Sequence, residues 1–330
     1  MRFLAVIFIL SGLAGGAALI AFQPSRLEVK NFVADVFSAG EREQTVRLGF
    51  VGDIMMDREV KKKIREVGDG DYNFPFAKIK SDFEGFDFLF ANLEGPVSDV
   101  GRNVGSIYSF RMDPQTVSAV KNAGFDAVSV ANNHIGDWGR EAMADTFNRL
   151  TAQNIIIVGG GGNSIEAFTP RVTEVKGLRI ALIGASQFGR GYLEAGTSTP
   201  GIAVIDVEKL SEEVRAARSL SDLVIVSLHF GSEYELEHNS FQEQIAHSLI
   251  DAGADLIVGH HPHVIEPLEA YGRGYIVYSL GNFIFDQSFS KETMTGALFD
   301  VTVVGKKIKT LKLRPINLNE DFQPELALTP

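Results

Sequence analysis

Residues 46–57 read VRLGFVGDIMMD, an apolar run of strand length that ends in an aspartate-bearing polar cluster. This pattern recurs along most of the chain. Similar short apolar runs lie at 86–93, 127–131, 155–158, 178–185, 222–228, 254–258 and 275–280. Segments between them, such as 137–153, 207–220 and 240–252, carry apolar residues at helical spacing. Alternating strands and helices predict an α/β domain with a largely parallel central component.

Two regions depart from simple alternation. Residues 171–185 predict a hairpin that turns at Lys176-Gly177, and residues 264–318 predict successive strands with turns at 272–274 and 305–306. Hairpins place antiparallel strands beside the parallel ones. We therefore expect either one mixed sheet or two sheets.

Polar clusters follow nearly all of the predicted strands. They are GDIMMD (52–57), ANLEG (91–95), ANNH (131–134), LHFG (228–231), GHHPH (259–263) and SLGN (279–282). In open α/β sheets, ligands bind in the crevice beyond the carboxyl ends of the strands. Six such ends that carry Asp, Glu, Asn or His therefore predict one polar pocket.

The residue types in these clusters favour a metal site. Carboxylates and amides offer oxygen and neutral imidazoles offer nitrogen, a mixed set that suits Zn, Mn or Fe better than Ca. In an extended chain His261 and His263 would point the same way and could bind one centre, which leaves His260 to contact substrate. Taken singly, Asp53 could be a helix N-cap and His134 a partly buried polar residue. The recurrence of His with carboxylates at strand ends favours the metal reading.

Further residues are candidates for substrate contact. Arg111 could clamp a phosphate or carboxylate, or be an ordinary exposed charge. Glu233 could reach the substrate or be solvated, and Asn282 follows the last strand end. With His260, these residues form the predicted substrate-binding set.

The first 22 residues predict a membrane segment. Residues 3–22 contain no charge and are long enough to span a bilayer. The run exceeds the usual apolar region of a signal peptide, which favours a retained anchor over a cleaved signal, and a buried core helix is disfavoured because the run is apolar on every face. Arg2 precedes the run, so we expect a single-pass membrane protein with its later residues outside the cytoplasm, or a secreted protein after cleavage. The predicted organisation is an anchor or signal (1–22), a linker (23–44), a metal-binding domain (45–318) and a tail (319–330).

Charge and cysteine content exclude several functions. The chain has 31 Lys and Arg against 42 Asp and Glu, a formal charge of -11, which disfavours binding to nucleic acid. It has no cysteine, so thiolate metal ligands, disulfides and cysteine nucleophiles are excluded. Any metal must be held by Asp, Glu, Asn and His.

The ordered motifs resemble the CapA/PgsA family of capsule and poly-γ-glutamate biosynthesis proteins. The stretches that carry the resemblance are GDIMMD (52–57), NLEGPVS (92–98), SVANNHIGDWG (129–139), LHFGSEYE (228–235), DAGADLIVGHHPHVIEPLE (251–269) and YSLGNFIFDQ (278–287). That family is similar to the calcineurin-like metallophosphoesterases. The resemblance implies a four-layer α/β/β/α sandwich with a metal centre at the strand ends, preceded here by the predicted transmembrane helix.

The resemblance also implies roles for individual residues. The implied metal ligands are Asp53, Glu94 (or, as the weaker alternative, Asn92), Asn133, His229, His261 and His263. His134 is implied to stabilise the transferred phosphoryl group. Met55 stands where a metal-binding His is usual, so we expect one ion, or two of unequal affinity.

Three functions follow from this reading. The first is a membrane-anchored metal-dependent hydrolase or transferase that acts in capsule or poly-γ-glutamate assembly, with the polymer and its synthesis machinery as partners. The second is a component that binds such a polymer for assembly or export without catalysis. The third is a secreted phosphoesterase unrelated to capsule.

Overall fold

The computed structural model describes residues 44–327. Within this range the strands are Thr45–Ile54 (β1), Phe88–Leu93 (β2), Ala127–Ser129 (β3), Ile156–Val158 (β4), Gly160–Gly161 (β5), Arg171–Val175 (β6), Leu178–Ser186 (β7), Gly201–Ile202 (β8), Leu223–His229 (β9), Leu256–His260 (β10), Leu268–Tyr271 (β11), Gly274–Val277 (β12), Asn282–Ile284 (β13), Thr295–Val304 (β14), Lys307–Leu318 (β15) and Pro324–Leu326 (β16). The α-helices are Arg58–Glu66 (α1), Gln115–Ala123 (α2), Gly139–Ala152 (α3), Ser164–Phe168 (α4), Val207–Leu220 (α5) and Ser240–Ala252 (α6). Short 3₁₀ turns lie at Phe74–Phe76 and Lys80–Phe83.

Two mixed sheets organise the domain, which confirms the expectation of mixed strand directions. The larger sheet has the order β16-β15-β14-β1-β2-β3-β4, and β13 also pairs with β1. Its strands β1 to β4 are parallel, while β14 to β16 are antiparallel. The smaller sheet has the order β11-β12-β10-β9-β7-β6, with a parallel centre and an antiparallel strand at each edge. The edge strand β6 belongs to the predicted hairpin, whose turn residue Lys176 has φ 46°.

Alternate residues of the central strands face different apolar cores. On β9, Leu223 and Ile225 belong to the core between the sheets, whereas Val224 and Val226 belong to the core beneath α4, α5 and α6. On β1, side chains divide in the same way between the central core and the core beneath α1, α2 and α3. Successive side chains of each strand thus point alternately into two cores, as expected for a strand that is buried on both faces. The layers therefore follow the order helix, sheet, sheet, helix.

Glycine permits the close backbone approaches beside the site. A Cβ on Gly52 would lie 1.9 Å from the carbonyl oxygen of Gly281, and a Cβ on Gly259 would lie 1.8 Å from that of Tyr278. Both distances are far shorter than any real contact. Each glycine directly precedes a polar strand-end residue, so the absence of a side chain brings the site-bearing strands together.

Residues 319–327, the described part of the predicted tail, pack onto the domain. Pro324–Leu326 pairs antiparallel with β15, and Phe322 and Gln323 are buried. The Gln323 Nε2 donates a hydrogen bond of 2.6 Å to the carbonyl oxygen of Phe74. Pro324 begins the edge strand β16, where a proline need not cost a ladder hydrogen bond.

The predicted anchor lies among residues 1–43, outside the described residues. Within residues 44–327, no helix is both long and apolar enough to cross a bilayer.

Candidate metal centre

Strand register brings the predicted site residues to one place. Asp53 on β1 pairs with Asn92 on β2 and with Asn282 on β13. In the other sheet, His229 on β9 pairs with His260 on β10. Asp53, Asn92, His229 and His260 lie at or next to the carboxyl ends of parallel strands, so their side chains converge at one edge of the sandwich, where Asn282 begins β13.

Asn92 lies at the middle of the buried polar network. Its Nδ2 donates to Asp53 Oδ1 at 2.8 Å and lies 3.4 Å from both Glu94 Oε2 and His229 Nδ1. Its Oδ1 accepts a hydrogen bond of 3.2 Å from Asn132 Nδ2. With both ends of its amide engaged, Asn92 holds the acidic residues in place, and Glu94 is the better candidate for a metal ligand.

One candidate ligand group consists of Asp53, Glu94 and His229. One potential ligand atom from each lies within 4.8 Å of the others, and all three side chains are buried. The Glu94 Oε1 atom has no hydrogen-bond partner among the described residues. A buried carboxylate oxygen without a partner is costly unless a cation or water satisfies it.

A second candidate group consists of Glu233, His261 and His263, whose ligand atoms also lie within 4.8 Å of one another. The Nε2 of His263 lies 3.8 Å from Glu94 Oε1, which connects the two groups. Asn282 Oδ1 lies 3.0 Å from His263 Nδ1 and fixes that ring.

The two histidines reach the site by a backbone conformation that the sequence did not predict. His261 has φ 102° and His263 has φ 60°, in the left-handed region, so the segment is not extended. Their ring centroids lie 6.0 Å apart. Such strained residues cluster at functional sites, where the surrounding structure holds them.

Burial and neighbouring groups set the protonation states of the site. Burial lowers the pKa of His229 well below its usual range, and the repulsion it would meet from a protonated His261 adds to this effect. Burial also lowers the pKa of His261, to about 3. Both rings are therefore neutral, which is the form that binds metal.

The two carboxyl groups behave oppositely. Burial alone would raise the pKa of Asp53, but His260 and His263, whose Nδ1 atoms lie 3.4 Å from its oxygens, hold it well below its usual range. Burial, and then the negative charge of Asp53, raise the pKa of Glu94 well above its usual range. A cation between them would offset this repulsion and allow both groups to ionise.

The residues therefore fit a divalent metal. Two buried carboxyl groups, neutral imidazoles and an unpartnered Glu94 oxygen form a mixed N/O set in the part of the chain that the structure describes. Such a set suits Zn, Mn or Fe. The predicted ligand Asn133 joins this set through His229, whose Nε2 lies 2.7 Å from Asn133 Oδ1.

His134 lies at the edge of the centre and is held from behind by Asp137. Its Nδ1 lies 2.8 Å from Asp137 Oδ2, an oxygen that also accepts the backbone N–H of Phe110 at 2.9 Å. Its Nε2 lies 4.0 Å from Glu94 Oε1. The sequence prediction omitted Asp137, although its spacing of three residues from His134 could have indicated the pair.

A cavity of about 230 Å³ opens beside the centre, and His134, His263 and Glu233 line it. Arg58 also lines it and was not predicted. Its Nε donates to Asp286 Oδ2 at 3.0 Å, a second guanidinium N–H bonds the other oxygen, and the group lies 4.7 Å from the Phe110 ring centroid.

The other predicted substrate contacts do not line this cavity. His260 is fully buried against Asp53, with no hydrogen-bond partner for either ring nitrogen among residues 44–327. Asn282 is buried behind His263, and the Arg111 guanidinium lies 3.6 Å from the Trp138 ring centroid. These three side chains are directed into packing and hydrogen bonds within the protein.

Met55 fills the position where the family resemblance implied a histidine. It is fully buried against Phe110 and Phe285, and its sulfur accepts the backbone N–H of Asp57 at 3.2 Å. This side of the centre is therefore apolar.

The fold defines the general class of protein. The structure is similar to that of a novel phosphatase from Mycoplasma pneumoniae, with a TM-score of 0.51 and 14% identity over 83% of this chain and 94% of that one. The chain therefore shares an α/β fold with that phosphatase.

The sequence comparisons define the family. The family model "Bacterial capsule synthesis protein PGA_cap" matches residues 47–287. The chain is 34% identical to the PGA biosynthesis protein CapA of Bacillus subtilis (strain 168) over 298 residues, which cover 89% of this chain and 74% of that protein. It is 31% identical to the capsule biosynthesis protein CapA of Bacillus anthracis over 84% of this chain and 68% of that protein. The chain belongs to the bacterial capsule synthesis protein PGA_cap family, which confirms the resemblance drawn from its motifs.

Proposed function

We propose that this protein acts in the synthesis or export of a capsular or envelope polymer of the poly-γ-glutamate type. Support comes from the names of its Bacillus relatives and from their similarity along most of its length. We further propose that residues 1–22 anchor it in the cell membrane, with the domain outside the cytoplasm and next to the synthesis machinery. Membrane fractionation tests this: recovery of the protein only from the soluble medium would contradict the anchor and favour a secreted phosphoesterase.

Within that role, we propose that the strand-end centre is a metal-dependent hydrolase site. A phosphoester is the first candidate substrate and an amide is the second. The observation that carries this proposal is the buried convergence of Asp53, Glu94 and His229, with the unpartnered Glu94 oxygen between them and His263. These residues, with His261, would hold one or two ions. A bound divalent ion supplies Lewis acidity and a water molecule of lowered pKa.

The chain's own residues would perform the remaining tasks. The neutral rings of His229 and His261 offer nitrogen lone pairs without first losing a proton. Asp137 orients His134 so that its Nε2 faces the centre, where it can stabilise negative charge or move a proton on the reacting oxygen. The cavity wall formed by Arg58 and Asp286 limits access to one side.

The test begins with metal content. The full-length chain in detergent is freed of metal with a chelator and reloaded with Mn, Zn or Fe, and both the bound ion and the turnover of bis-p-nitrophenyl phosphate are measured. We expect His261→Gln to lose metal and turnover. His247→Gln is the matched control, because that histidine lies on α6 and contacts Glu269. Failure of the wild-type chain to retain any of the three ions would contradict the proposed site.

A second function is favoured by Met55. Since that side of the centre is packed with apolar groups, the site resembles an incomplete two-metal centre, and a metal site that only binds polymer for assembly or export is the alternative. Stoichiometric metal without turnover of phosphodiester or amide substrates would favour this alternative.

A further inference from the structure

The cavity beside the metal centre has an aromatic rim that the proposed reaction does not use. Tyr108, Tyr234 and Phe289 line it and come from three different loops. Tyr108 is 66% exposed and Phe289 65% exposed, and Tyr234 packs against Phe289 edge to face at 5.0 Å. Large apolar side chains held in solvent around a cavity mark a binding surface.

The apolar surface extends beyond the lining residues. Ile107, next to Tyr108, is 93% exposed, and Val104 on the same loop is also exposed. Aliphatic side chains make no hydrogen bonds, so their presence here favours an apolar ligand over a sugar.

The charged residues of the cavity also favour a ligand whose chain is uncharged. Among the described residues that line it, Arg58 is the only lysine or arginine, and its guanidinium is already paired with Asp286. Glu233 adds a negative charge, and Glu235 and Glu237 are exposed on the same loop. Inside this cavity a polyanionic chain would therefore meet no unpaired lysine or arginine among the described lining residues, and would meet the like charge of Glu233.

We infer that the substrate of this site is an amphiphile: a single anionic phosphoester group at the metal centre, flanked by an uncharged apolar chain that covers Tyr108, Tyr234 and Phe289. This inference rests on the proposed phosphoesterase function. It also implies that the acidic polymer is not the ligand of this cavity. The polymer would bind elsewhere on the protein or not at all.

The experiment compares non-hydrolysable probes that share one head group. Ethyl(methyl)phosphinate and hexyl(methyl)phosphinate carry the same single charge and attach both alkyl groups through P–C bonds, and a third probe ends its six-carbon chain in a carboxylate. Binding to the Mn-loaded full-length chain is measured by calorimetry. A fully buried methylene strengthens binding by about fourfold, so even partial burial of the added chain should make the hexyl probe at least about tenfold tighter than the ethyl probe. The carboxylate probe should lose that gain.

Variants of the rim then locate the effect. We expect the double variant Tyr108→Ser, Phe289→Ser to lose most of the advantage of the hexyl probe, measured in each protein as the ratio of the dissociation constants of the ethyl and hexyl probes. Ile165→Ser on α4 removes another exposed apolar side chain and should change nothing. Any partition of the probes into detergent is the same for all variants.

The outcomes separate the two proposals. Equal binding of the ethyl and hexyl probes, or tighter binding of the carboxylate probe, would overturn the amphiphile inference and leave the metal-dependent function standing. Binding of no probe to the metal-loaded chain would overturn both.

Discussion

The Nε2 atom of His229 lies 2.7 Å from the Oδ1 atom of Asn133, so two residues predicted as metal ligands contact each other directly. Asn133 thereby fixes the plane of the imidazole, while Asn92 lies 3.4 Å from the other ring nitrogen. The pair connects the strand ends of the larger sheet to those of the smaller sheet.

Removing the Asn133 amide should weaken metal binding without unfolding the domain. Asn133→Ala leaves the ring of His229 free to turn, and loss of such an orienting partner, or of an outer ligand, typically lowers metal affinity about 10–100-fold. Competition with a fluorescent chelator measures the change. Asn148→Ala, at an exposed position of α3, is the control. Wild-type affinity in Asn133→Ala would show that the contact has no role in the site.

The His134–Asp137 pair should control the chemical step. Asp137→Asn keeps an oxygen for the Phe110 N–H but removes the carboxylate that faces His134 Nδ1 at 2.8 Å. We expect kcat for the phosphodiester to fall by at least about tenfold, because positioned acid–base groups contribute about 10²–10⁴-fold. KM and bound metal should change little. Steady-state kinetics and metal analysis on the same preparation check this, and an unchanged kcat would argue against a catalytic His134.

The sequence predicted the site better than its surroundings. Asp53, Glu94 and His229 follow strands whose apolar runs are easy to recognise, and parallel strands end at a common edge, so their convergence followed from general rules. The pairing of His261 with His263 was also expected, but for a wrong reason. Both residues have positive φ, a conformation that side chains elsewhere in the fold impose and that no local pattern encodes.

Contacts between distant segments account for what was missed. Arg58 faces the cavity because Asp286, 228 positions later, binds its guanidinium. His260 and Asn282 read as substrate contacts because they follow strands, yet both are turned inward. β13 went unrecognised because it has only three residues and begins with the polar Asn282.

Glu266 should make the stability of the domain depend on pH. Burial raises the pKa of this carboxyl to about 7, although the hydrogen bond from Gln242 opposes the shift. Below pH 4.5, its ordinary pKa, the group is protonated in both the folded and unfolded states and has no effect. Between pH 4.5 and about 7 the unfolded state releases its proton first, so the free energy of unfolding falls as the pH rises.

Glu266→Gln removes this titration. At each pH, the free energy of unfolding of the wild type is subtracted from that of Glu266→Gln. This difference should increase by about 1–3 kcal/mol from acid to mildly alkaline pH. Urea unfolding of both metal-free proteins at several pH values measures the difference. A difference between the two proteins that stays constant with pH would contradict the assignment to Glu266, whatever the absolute stability of the variant.

Gly52 offers a test of how tightly the fold and the site are coupled. A Cβ at this position would lie 1.9 Å from the backbone oxygen of Gly281, which a backbone shift alone can relieve. That shift would displace β13 and with it Asn282, the residue that holds His263 at 3.0 Å. We expect Gly52→Ala to lower the free energy of unfolding by about 1–3 kcal/mol or more and to weaken metal binding as well.

Gly162→Ala is the matched control, because its Cβ would approach only the flexible end of Glu166. Chemical denaturation and metal titration check both effects. If Gly52→Ala lost stability but kept wild-type metal affinity, β13 would not be what positions His263, and that histidine would have to be held by its own strained turn.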